Sequence, residues 1–136
     1  MSQPLRSATE DRAPASVGEQ FARALAAKDR AALSALLTDP VDFQALTPRK
    51  HWQATTPGQV VEDVILGKWF DAGDDIEAVL ALSNSSLPGR ERVSYQLRVR
   101  NADGLHVVEQ QVYYNAEGGR ISWLRVLCSG YQPVPG

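Results

Sequence analysis

Between Arg90 and Tyr131 the chain alternates apolar and polar positions with hardly a break. Val93, Tyr95, Leu97 and Val99 are interleaved with Ser94, Gln96, Arg98 and Arg100, the two-residue period of a strand with one apolar face. Asn101-Ala102-Asp103-Gly104 and Asn115-Ala116-Glu117-Gly118-Gly119 divide the stretch into Arg90 to Arg100, Leu105 to Asn115 and Arg120 to Tyr131. Asn, Asp and Gly suit tight turns, so the three segments are predicted to form an antiparallel meander. Its apolar face has to be covered by elements from earlier in the chain.

Those elements read as helices. Ser16 and Glu19 have capping-box spacing, and Val17, Phe21, Ala24, Leu25 and Lys28 follow on one helical stripe. Asp29 caps a second short helix through Leu37, with Leu33, Leu36 and Leu37 on its apolar side, and Thr38-Asp39-Pro40 ends it. Val41 to Leu46 is a short strand whose Val41, Phe43 and Ala45 alternate with Asp42 and Gln44; Pro48 to Thr55 reads as an irregular loop. Thr56-Pro57 opens a third helix, with Val60, Val61, Val64, Ile65, Lys68 and Trp69 on its stripe and an end near Phe70. A polar turn, Asp71 to Asp75, a strand from Ile76 to Ser83 and a turn from Asn84 to Gly89 lead into the meander. The prediction is an α+β fold: three N-terminal helices packed on a strongly curved, mixed but mostly antiparallel sheet. Residues 16–131 form this domain, between a flexible N-terminal tail, 1–15, and a short C-terminal tail, 132–136.

Composition narrows the function classes only a little. The chain has 136 residues, 43% of them hydrophobic, and a formal charge of -2, so one core in one domain is expected. Basic residues are spread among acids, which argues against nucleic acid as a partner. Arg90, Arg92, Arg98 and Arg100 form a basic strand edge, but Glu91 interrupts it and aromatic residues are not interleaved on the same face. Cys128 is the single cysteine. Without an apolar run long enough for a signal peptide or a membrane span, a reducing cytoplasmic location is expected, with no membrane contact.

The order of these elements resembles the nuclear transport factor 2-like superfamily, which includes ketosteroid isomerases, limonene epoxide hydrolases, polyketide cyclases and non-catalytic binding domains. Four short motifs carry the resemblance: Ala26-Ala27-Lys28-Asp29, Leu36-Leu37-Thr38-Asp39, Thr56-Pro57-Gly58 and Gly119-Arg120-Ile121. The resemblance implies a cone enclosing an apolar pocket, with the outer sheet surface forming a dimer. It does not carry ketosteroid-isomerase chemistry across. The tyrosine of that family falls on Phe21, its base near Gln44, and its second acid on or near Gln110, and none of these can serve as a neutral-pH base or as an acid.

Two functions remain: a cofactor-independent small-molecule pocket protein of isomerase or cyclase type, and a non-catalytic dimeric module with a filled core. For the first, candidate pocket residues are Gln44, His51, Trp52, Tyr95, Gln110, Tyr114 and Cys128. Strand parity places Val108, Gln110, Val112 and Tyr114 inward, matched by Leu124, Val126 and Cys128. Cys128 is expected to be buried and slow to react. The opposite parity sends Tyr113, Trp123, Arg125 and Leu127 outward, a mixture suited to a homodimer interface with Trp123 as anchor. His106, near a strand start, reads as a surface residue, and the acidic Asp71, Asp74 and Asp75 as a solvated turn. The histidines and the cysteine have no metal-ligand spacing, and neither a phosphate-cradling glycine loop nor a Gly-x-Ser-x-Gly elbow occurs, so no metal and no cofactor are expected.

Overall fold

A serine hydroxyl starts the first helix. In the computed structural model, which describes residues 15–135, α1 (Val17–Ala26) begins where Ser16 Oγ accepts from the Glu19 N–H at 3.0 Å. That bond satisfies a backbone donor left free in the first turn, so Ser16→Ala is expected to cost about 1 kcal/mol in urea unfolding. Phe21, Ala22, Ala24 and Leu25 turn one face of α1 into the core. Asp29 caps α2 (Arg30–Ala35) as its sequence predicts, accepting from the Ala32 N–H at 3.0 Å. The predicted N-terminal tail, 1–15, lies outside the described residues apart from Ala15.

After α2 the local signals give way to sheet pairing. The sequence predicts helix through Leu37 and an end at Pro40, yet β1 runs from Leu37 to Thr47. Leu37 stands opposite Ile121, whose N–H donates to the Leu36 carbonyl at 2.6 Å, so the distant last long strand claims these residues. The predicted loop at Pro48 to Thr55 contains a second strand, β2 (Lys50–Ala54), folded back on β1 with Thr47 opposite Lys50. Trp52 Nε1 donates to Thr47 Oγ1 at 2.8 Å and fixes this hairpin.

The third helix, α3 (Gln59–Trp69), begins where the Thr56 hydroxyl accepts from the Gln59 N–H. It is wound wider than an α-helix, and Phe70 N donates five residues back to Ile65 O at 2.8 Å. The wider turn brings Leu66 into the core beside Val60, Val61, Val64, Ile65 and Trp69, and leaves Lys68 exposed. Four long strands follow: β3 (Asp75–Leu87), β4 (Arg90–Asn101), β5 (Gly104–Glu117) and β6 (Arg120–Cys128). The turn predicted at Asn84 to Gly89 shrinks to Pro88-Gly89, with Gly89 at φ 77, a backbone angle that favours glycine.

The sheet order is β2-β1-β6-β5-β4-β3, antiparallel throughout except for β1 beside β6. Helices cover one face of this mixed, mostly antiparallel sheet, which is the predicted α+β class. The C-terminal tail is a correction. Gln132–Pro133 forms β7 against β5, and Val134 N donates to Leu105 O at 2.9 Å. The predicted final strand, Arg120 to Tyr131, ends early at Cys128, and β7 lies within the predicted tail.

Candidate functional site

The inner face of the meander has one polar row across it. Tyr95 on β4 stands opposite Gln110 on β5, which stands opposite Cys128 on β6. The Tyr95 hydroxyl donates to Gln110 Oε1 at 2.6 Å, and both side chains are fully buried. Burial, with a smaller contribution from Cys128, pushes the Tyr95 phenol well above its ordinary pKa. Tyr95 therefore keeps its proton, and the pair interacts by hydrogen bonding. Gln110 Nε2 finds no partner among the described residues, and neither do Trp69 Nε1 and His106 Nδ1.

The ring of His106 is buried, contrary to the surface position its sequence suggests. The β7 segment pairs beside it, and Tyr131 packs edge-on against it with ring centres 5.6 Å apart. The Tyr131 hydroxyl has two acceptors in reach, Trp69 O at 2.6 Å and Asp74 Oδ2 at 3.0 Å. Burial first, and then the Asp74 charge, raise its pKa. The acidic turn is thus occupied by the protein's own donors: Asn101 Nδ2 donates to Asp74 Oδ1, and Lys28 Nζ to the carbonyls of Asp71 and Asp74. Cys128 is half-buried rather than buried, packed against the core at the last position of β6.

The predicted pocket residues do not share one cavity. Trp52 packs edge-on against Trp69 within the helix-covered layer. Tyr114 is buried, but its hydroxyl accepts from the Gly18 N–H at 2.8 Å at the start of α1. Its other side meets a surface groove of about 550 Å³ bordered by Ser16, Leu87, Arg90 and Glu117. Gln44 and His51 are a correction: they point away from the helices. Phe43 and Ala45 take the inward positions of β1, which leaves Gln44 on the other face, where its Oε1 accepts from His51 Nε2 at 3.0 Å. The strand-one position that the resemblance assigns to a base therefore faces outward.

On that outer face a cleft of about 330 Å³ opens between β1 and β6, bordered by Gln44, Leu46, His51, Tyr113, Arg125 and Leu127. Leu46, Leu127 and Tyr113 are 51%, 55% and 37% exposed, a concentration of large apolar groups on one sheet face. Leu46 is absent from the interface read from the sequence, although it alternates with inward Phe43 and Ala45. Trp123, the expected anchor, is half-buried beneath Arg90 and Arg125, whose guanidinium carbons lie 3.7 and 4.3 Å from its ring centre. Arg125 also pairs with Asp42 at 3.0 Å.

No protein-family model and no curated protein sequence matches the chain. Solved structures do. A limonene-epoxide-hydrolase-like epoxide hydrolase from M. tuberculosis aligns over 83% of this chain and 80% of its own, with 12% identity and a TM-score of 0.63. A protein of ketosteroid isomerase-like fold from Catenulispora acidiphila, in complex with trimethylamine, covers 83% of this chain and 85% of its own, at 12% identity and a TM-score of 0.65. A protein from work on the de novo design of diverse pocket structures covers 90% of this chain and 99% of its own, at 16% identity and a TM-score of 0.60. The chain has the nuclear transport factor 2-like fold that its sequence resembles. At these identities the likeness is one of fold, and function has to be argued from the site.

Proposed function

We propose that the protein is a homodimeric binding module that works through the outer face of its sheet. The observation that carries this reading is the cleft between β1 and β6, where Leu46, Leu127 and Tyr113 leave apolar surface in water. A symmetric pairing sets that patch on itself, the commonest closed arrangement of soluble oligomers. With Trp123 covered by guanidiniums, the anchors are Leu46 and Leu127. Light scattering should give twice the 14.9 kDa chain mass. Leu127→Asp should give monomers with an unchanged circular dichroism spectrum. A parent protein that runs as a monomer at micromolar concentration, or a folded Leu127→Asp variant that stays dimeric, rejects the reading.

The same reading leaves proton transfer out. Phe21 is fully buried where a hydroxyl would be needed, and inward Phe43 and Ala45 flank the outward Gln44. A β,γ-unsaturated ketosteroid should accordingly show no turnover. A rate near 1 s⁻¹, ordinary for an enzyme, would contradict the assignment.

One observation favours a second reading, a small neutral ligand held inside the cone. Gln110 Nε2 is a buried donor without an acceptor among the described residues, which costs about 1–3 kcal/mol unless something accepts from it. A ligand carbonyl would do so. Cyclic ketones should then raise the melting temperature more than cycloalkanes of equal size, and Gln110→Leu should remove the difference. Equal responses to ketones and hydrocarbons in the parent protein would leave this reading without support.

A further inference from the structure

The outer face carries a second feature, adjoining the Leu46 and Leu127 cleft at Tyr113 and Arg125. On β4 the positions alternating with buried Val93, Tyr95, Leu97 and Val99 include Arg92, Arg98 and Arg100, and Arg90 continues the row. Glu91, which breaks this run in the sequence, stands opposite buried Tyr114 and so belongs to the other face. Aromatic residues do share the arginine face: Tyr113 stands opposite Arg92, and Arg90 reaches over Trp123. Both grounds on which the sequence sets this row aside are reversed by the fold.

Among the described residues, carboxylates pair with only one arginine of the row. Arg100 is paired with Glu77 at 2.8 Å, and Asp42 is taken by Arg125. Glu109, also on this face, accepts from Gln96 at 3.0 Å. Arg92 is held by neutral groups, donating to Ser85, Ser94 and Gln111. Arg98 is exposed, and Arg90 Nε is buried without a hydrogen-bond partner. Among the described residues, Arg90, Arg92 and Arg98 therefore have no carboxylate partner, on one face of a chain whose net charge is -2. A second copy laid on this half would bring guanidinium against guanidinium, which is repulsive.

We propose that this half of the face binds an extended acidic segment of a partner protein, with carboxylates seated on Arg90, Arg92 and Arg98. The proposal rests on the reading of the outer face as the working surface and names the kind of partner. Alternate residues of a strand are about 6.7 Å apart, so an extended peptide carrying acids at alternate positions matches the Arg90 and Arg92 spacing. The exposed Arg98 guanidinium can also offer a carboxylate a two-pronged hydrogen bond. Single-stranded nucleic acid fits less well. The Trp123 ring already lies against two guanidiniums, so a base would have to compete with Arg90 and Arg125 for it.

The test is fluorescence anisotropy with a labelled ten-residue alternating Glu-Ser peptide, set against a Lys-Ser peptide and a ten-nucleotide oligothymidylate. Saturable binding of the acidic peptide is expected, weakening about fivefold or more as salt rises from 0.05 to 0.3 M. The double variant R90Q/R98Q should bind about tenfold more weakly. If loss of the Trp123 stack unfolds it, R98Q alone, at an exposed position, should still weaken binding about threefold. No saturable binding, parent-like binding by the folded variant, or tighter binding of the oligonucleotide overturns the proposal. Light scattering on the same parent samples separates the two readings: a parent monomer that still binds the peptide rejects only the dimer, and a parent dimer that does not bind it rejects only this partner.

Discussion

Replacing Gly18 by alanine is expected to destabilise the protein by about 2–3 kcal/mol, the upper range for forcing atoms into a packed core. The sign runs against helix propensity, on which alanine gains about 1 kcal/mol over glycine. Sterics decide it. A β-carbon at position 18 would lie 2.8 Å from the Tyr114 hydroxyl oxygen, 2.9 Å from that ring and 2.9 Å from Val93 Cβ. Val93 is buried and its Cβ is fixed to the strand backbone, so that contact cannot be relieved by a side-chain rotation. The approach that excludes a methyl group also lets the Gly18 N–H reach the Tyr114 oxygen at 2.8 Å. In urea unfolding, Gly18→Ala should lower the midpoint without changing the slope, and adding Tyr114→Phe should recover only part of the loss, because the ring carbon stays. A Gly18→Ala protein as stable as the parent would mean that α1 can lift off the sheet.

The second large effect concerns the pair at the centre of the inner face. Gln110→Leu leaves the Tyr95 hydroxyl without its acceptor, and Tyr95→Phe leaves Gln110 Oε1 without its donor. Tyr95→Phe should cost about 1–3 kcal/mol, the penalty for an abandoned buried polar group, and Gln110→Leu less, because it also removes the unpaired Nε2. Making both changes removes every polar atom of the pair, so the double variant should be more stable than either single one and close to the parent. The outcome that sinks this account is simple addition, in which the double variant loses the sum of the two single losses. Additivity would mean that the 2.6 Å bond contributes nothing beyond the packing of two separate side chains.

The meander was legible because its two-residue period, Val93 to Val99, coincides with real burial and its turns carry Asn, Asp and Gly. Helix caps at Ser16 and Asp29 were legible for a similar reason, since each is a bond between near neighbours. What failed was set by remote partners. Leu37 reads as helix until Ile121 pairs with it, and Lys50 to Ala54 reads as loop because its strand character comes from β1 rather than from its own pattern. The site divides along the same line. Parity correctly separates Gln110 from Tyr113, but Gln44 was grouped with the inner residues against the parity of its own strand, which already set Phe43 and Ala45 on the other side. Burial of His106 depends on Tyr131 and β7, a contact that no local pattern announces.

The parallel pairing of β1 with β6 sets an order of events during synthesis. Leu37 leaves the ribosome 84 positions before its partner Ile121 (121 minus 37). Each pair from β3 to β6, in contrast, is joined by a tight turn and can zip as a hairpin. Closing the long loop carries a larger entropic cost than closing any of those turns, so the meander forms first and β1 docks last on the free edge of β6. Dependence on such a distant contact slows folding relative to a chain held by local contacts alone. A nascent chain stalled before Arg120 would hold β1 with no strand to meet on that side, and β5 with an open edge. Two such chains could pair edge to edge, which makes the arrival of β6 the step that commits the chain to folding alone.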